Sequence, residues 1–168
     1  MIIFALLSLL LLAERVPLIK TKKLFEVDGI KVYLKESDQV NAFVIGRDKL
    51  VITSTTLSLP KEEIRAILAH ELSHIELGHY KITRLFLFLV VSLGIILGLL
   101  NEIPLLVFSY LVLFLLQRFI QRRLELEADK MAVKIVNREV FRSVLLKYGD
   151  RTSNVFSTHP SLSARLKL

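Results

Sequence analysis

Cysteine is absent from the 168 residues, which excludes both a disulfide framework and a thiolate metal centre. Any transition metal must therefore be held by histidine and carboxylate. Histidine is itself scarce: His70, His74, His79 and His159 are the whole supply, so the candidate ligands are few. Also missing is a basic stripe with interleaved aromatic residues. The formal net charge is +7, but the Lys and Arg residues flank apolar runs. They read as determinants of membrane topology, and nucleic acid is not expected as a partner. No internal repeat or low-complexity segment is visible.

What the chain does have is apolar sequence. It is 53% hydrophobic with a mean hydropathy of +0.55, yet 23% of its residues are charged, so the two kinds must be segregated. Ile2–Ala13 is apolar apart from Ser8. That run is shorter than the roughly 20 residues a bilayer demands. No basic residue precedes it and no small-residue cleavage site follows, so a short or tilted anchor is expected rather than a cleaved signal peptide. Ile82–Leu100 and Ile103–Ile120 are each just long enough to span, with Asn101-Glu102 interrupting them. A chain this small has too little mass to cover such a hairpin as a soluble core. Lys81, Arg84, Arg118, Arg122 and Arg123 gather at the open end of the hairpin, and the connecting loop has no basic residue. Both ends are therefore expected on the cytoplasmic face of the cell membrane.

Between anchor and hairpin the periodicity changes. Lys31–Lys35 alternates as a half-buried strand does. Val40–Ile45 and Leu50–Thr53 are short β-branched runs joined by a Gly46-Arg47-Asp48 turn. A small antiparallel sheet is expected over 24–57. Pro60, followed by Glu62 and Glu63, then opens a helix.

That helix carries His70-Glu71-Leu72-Ser73-His74, the metal motif of zinc proteases. Residues four apart lie roughly 40° apart around a helix, so His70 and His74 share a face and can grip one ion. Glu71, roughly 100° from His70, leans beside the open coordination position, where it can act as general base. Zinc wants a third protein ligand. On a continuous helix His79 falls roughly 180° from His70 and is expected to face elsewhere. Glu125 and Asp129 are better placed: they also lie four apart, directly after the second apolar run. Glu125 can bind the metal while Asp129 accepts a hydrogen bond from a ligand histidine. Depth agrees. His74 lies roughly 16 Å of helix from the first apolar run, and Glu125 roughly 14 Å from the second.

Several segments together resemble the HtpX-like family of membrane zinc metalloproteases, which includes the prenyl (CaaX) proteases. The matching segments are Val40-Asn41-Ala42-Phe43, Ala69–His74, Glu125-Leu126-Glu127-Ala128-Asp129 and Thr158-His159-Pro160 with Arg165. The resemblance implies one Zn2+ held by His70, His74 and Glu125, with Asp129 supporting the site. It implies that Asn41, Ala42, Phe43 and Val44 form an edge strand on which a protein or peptide substrate pairs. His159 and Arg165 would then steady the substrate carbonyl.

The expected plan is one membrane-anchored α+β domain over 1–168, zincin-like and mainly helical. It comprises an anchor over 1–19, the sheet, a zinc helix over 58–81, a transmembrane hairpin over 82–120 inserted between the zinc-ligand helices, and the third-ligand helix within 121–168. The expected reaction is endopeptidase cleavage in membrane-protein quality control. The competing readings are a site-specific processing protease, for example of lipidated C-termini, and a non-catalytic membrane adaptor with structural zinc.

Overall fold

The computed structural model describes residues 16–149 and 157–167. Most of the expected N-terminal anchor therefore lies outside the described residues. After a single 3-10 turn (Val16–Leu18) come four strands: β1 (Thr21–Val27), β2 (Ile30–Lys35), β3 (Ala42–Ile45) and β4 (Lys49–Thr53). Six helices follow: α1 (Ser54–Leu57), α2 (Lys61–Glu76), α3 (His79–Leu99), α4 (Ile103–Ile135), α5 (Arg138–Tyr148) and α6 (Leu162–Arg165). The architecture is α+β and mostly helical.

The sheet is mixed, which corrects the antiparallel sheet expected from sequence. Its order is β1-β2-β4-β3, with β2 and β4 parallel and the other two pairs antiparallel. Burial explains the order. Leu50, Val51 and Ile52 of β4 are all buried, so this strand takes a central place, covered on both faces. The shorter β3 folds back outside it through the Gly46–Asp48 turn and becomes the edge. Strand β1 escaped the sequence reading because Lys22 and Lys23 break the apolar pattern and the strand is largely exposed. It pairs with β2 through Asp28-Gly29, both at positive φ, a sequence suited to a tight hairpin.

Threonines pin the start of the edge strand. Thr56 Oγ1 accepts from Asn41 N–H at 2.8 Å and donates to Asn41 O at 2.9 Å, and Thr53 N–H also donates to Asn41 O. Thr53 caps α1 as well, and Thr56 is fully buried. The polar backbone at Asn41 is thereby satisfied before β3 begins.

Helix α2 lies between two apolar clusters. Ile67, Leu68 and Leu72 pack on Val32, Ala42, Leu50 and Ile52 of the sheet. On another face, Ala66 and Ala69 pack with Ala132 of α4 and with Phe141, Val144 and Leu145 of α5. Small residues there let the α2 and α4 backbones approach closely. Glu63, near the start of α2, accepts from Tyr148 at 2.8 Å and pairs with Lys147, tying α5 down.

The helix expected over 58–81 is broken. Leu77 closes α2, Gly78 adopts φ 67, and His79 opens α3. A left-handed residue ends a helix cheaply only when it is glycine. Gly78→Ala should lower the stability of the detergent-solubilised protein by about 1 kcal/mol, read as a drop in thermal midpoint. No change would mean that the turn tolerates a side chain.

Helices α3 and α4 are each long and apolar enough to cross a membrane. Their apolar side chains are mostly uncovered: Leu99 is 76% exposed and Val107 65%. A soluble core hairpin would have buried them. Arg118 lies over the Phe114 ring and Arg123 over Phe119, each within 5 Å of the centroid, as cations do at the edge of an apolar span. Past Ile120, α4 runs on unbroken, so Glu125 and Asp129 ride on the same rod as the second apolar run.

Candidate metal centre

Two rods deliver the donor atoms. Helix α2 presents His70 and His74, and α4 presents Glu125 across from them. Nε2 of His70 and Nε2 of His74 are 3.3 Å apart. Each lies 3.5 Å from a different oxygen of Glu125. Four tetrahedral bonds of about 2.05 Å would set their donor atoms about 3.3 Å from one another. One atom from each of the three residues lies within 4.8 Å of the other two, close to that spacing, and two nitrogens with one carboxylate suit that metal.

The outward faces of both rings are also engaged. Nδ1 of His70 approaches Oδ1 of Asp129 at 2.8 Å, as an ion-pair contact with the ring N–H off the line to the oxygen. Asp129 is fully buried and accepts two hydrogen bonds of 2.6 Å from Nε and Nη2 of Arg165. Nδ1 of His74 lies 2.8 Å from Nδ1 of His79. His159 reaches the cluster through Nδ1, 3.1 Å from Oε2 of Glu125, and stays exposed.

The charges sort accordingly. Burial raises the Glu71 carboxyl to about 7, only partly countered by the His70 cation. Burial opposes charge on His70, but the Asp129 and Glu125 carboxylates outweigh it and push the imidazolium up to about 9. His74 moves the other way, to about 4, through burial and the adjacent His70 charge.

Two clefts meet at this cluster. The larger, about 650 Å³, runs from the donors along the outer edge of β3 and past Thr83, Leu87 and Gln121 of the apolar hairpin. The smaller, about 240 Å³, lies on the other side against Phe141, Leu145 and Tyr148. His70, Glu71, Glu125 and His159 border both, and so do Asn41 and Ala42. Phe43 and Val44 line the larger one.

All the sequence-derived site residues therefore gather in one region. Arg165 sits differently from expectation: two of its nitrogens are committed to Asp129, so its first contact is with the support of His70. His79 was expected elsewhere and is here, because that expectation assumed one continuous helix. Gly78 was the available signal, since glycine is the residue that most often follows a helix end.

A mixed sheet, a helix bearing two histidines, an apolar hairpin and a returning carboxylate together make an α+β fold with a candidate metal centre beside two helices long and apolar enough to cross a membrane. The chain matches peptidase family M48 over residues 12–168 and belongs to that family. Its fold is similar to the crystal structure of Ste24p from S. mikatae, with a TM-score of 0.72 at 19% sequence identity. The match covers 99% of this chain and 56% of that one, so the chain spans little more than half the length of that relative.

Proposed function

We propose that the chain is a zinc-dependent endopeptidase working at the cytoplasmic face of the cell membrane, cleaving protein substrates as part of membrane-protein quality control. The observation that carries this reading is the convergence of the His70, His74 and Glu125 donors, with 3.3 Å between the two nitrogens and 3.5 Å from each to one of the Glu125 oxygens, beside the half-buried Glu71 carboxyl that borders both clefts. His70, His74 and Glu125 would hold the ion.

When bound, zinc supplies Lewis acidity toward the scissile carbonyl and lowers the pKa of a water toward about 7. The chain's own residues do the rest. The edge strand β3 aligns an extended peptide by main-chain pairing. Glu71 takes a proton from the attacking water on its carboxylate and returns it to the leaving amine. His159, at the meeting point of the two clefts, donates to the carbonyl oxygen as negative charge develops there. Arg165 acts through Asp129, which holds the His70 ring.

Two measurements test this. Glu125→Ala should reduce zinc from one per chain to a small fraction, read by metal analysis of purified protein; unchanged stoichiometry would remove Glu125 from the ligand set. Incubating the purified protein with zinc and casein, beside a prenylated peptide, separates the roles. Cleavage of the prenylated peptide alone would replace quality control with dedicated processing.

A further inference from the structure

Beyond the three donors, we infer that His79 is a positioning residue for the metal, fixing the tautomer and ring plane of His74 through a histidine-to-histidine hydrogen bond. This inference rests on the metal reading above.

The bond direction follows from valence. If the Nε2 lone pair of His74 is given to the ion, the single ring proton of the neutral imidazole must sit on Nδ1. An N–H there needs an acceptor. The atom that meets it is Nδ1 of His79, 2.8 Å away, with the two rings set edge to face at 77°. His79 must then offer a lone pair at Nδ1 and carry its own proton on Nε2. That Nε2 is buried and lies 3.5 Å from a carboxylate oxygen of Glu127, without an aligned partner among the described residues. His79 itself is 5% exposed, so its ring is held by packing.

The arrangement answers the one on the other ligand. Nδ1 of His70 has Asp129, an anion, whereas Nδ1 of His74 has a neutral imidazole. Ligand histidines generally require such a partner on the distal nitrogen. The α2–α3 break produces it. On an unbroken helix, residues five apart diverge by roughly 140° and could not touch ring to ring. The left-handed turn at Gly78 swings His79 back beneath His74.

Two amide substitutions separate this role from simple filling of space. Asn places its carbonyl oxygen near the Nδ1 position of the imidazole, whereas Gln places its amide near Nε2. Zinc affinity of the detergent-purified full chain would be measured by competition with a chromogenic chelator, using zinc ion alone. His79→Asn should stay within about threefold of wild type, and His79→Gln should bind roughly 10–100-fold more weakly. Equal affinities for the two variants, whether both tight or both weak, would overturn the inference. A wild-type chain that binds no zinc would instead remove the metal reading beneath it.

Discussion

Glu71→Gln should leave zinc stoichiometry unchanged and lower peptide hydrolysis by roughly 10²–10⁴-fold, the range supplied by a positioned general base. The amide keeps the size of the side chain and cannot accept a proton. His70, His74 and Glu125 are untouched, so metal analysis should be flat while turnover collapses. Burial holds the Glu71 carboxyl near 7, which suits a group that both takes and gives a proton at neutral pH. A bound cation beside it favours the ionised form, and so the base form. Self-cleavage in the presence of added zinc is the simplest readout, with wild type and variant side by side. Full activity in the variant would sink the mechanism, whatever the metal does.

Arg165→Ala should cost about 3–5 kcal/mol of stability, because it removes two hydrogen bonds from a fully buried carboxylate and leaves it only the contact with His70. Arg165→Lys should recover little, since one ammonium cannot replace two parallel hydrogen bonds to Asp129. The pH dependence has a definite sign. Burial alone would raise the Asp129 pKa, but Arg165 and His70 outweigh it and hold the carboxyl below its ordinary value. A group depressed on folding stabilises above its unfolded pKa, about 3.9, and loses that contribution as pH falls through the folded value. Wild type should therefore keep this contribution down to about pH 4. In Arg165→Ala the first of the two opposing cations is gone while His70 remains, so the loss should begin at a higher pH than in wild type. Thermal midpoints in detergent across pH 4 to 8 would show it. Matching profiles for the two proteins would mean that the pair contributes nothing net.

How much of this was legible in the sequence depends on the range of the interaction. His70 and His74 share a face by helical spacing, and Glu125 with Asp129 by the same rule; both pairs are local facts. The apolar hairpin is legible from length and charge. The parallel pairing of β2 with β4 is not, because nothing local says that β3 will fold to the outside. Strand β1 is mostly exposed and does not carry the alternation that identified its neighbours. The partner of Arg165 lies 36 residues away on another helix, beyond any periodicity. His79 failed for a different reason: a single left-handed residue changed the geometry on which the angle was reckoned.

The hairpin lies between the halves of the donor set. About fifty residues of apolar sequence and flanks separate His74 from Glu125, and they form the loop that a metal bridge would close. Such a loop has its ends together when the two rods of the hairpin stand side by side. A chain whose hairpin has not formed would hold His70 and His74 on one helix without Glu125 opposite them. On the metal reading proposed above, forming the hairpin would be the step that completes the donor set.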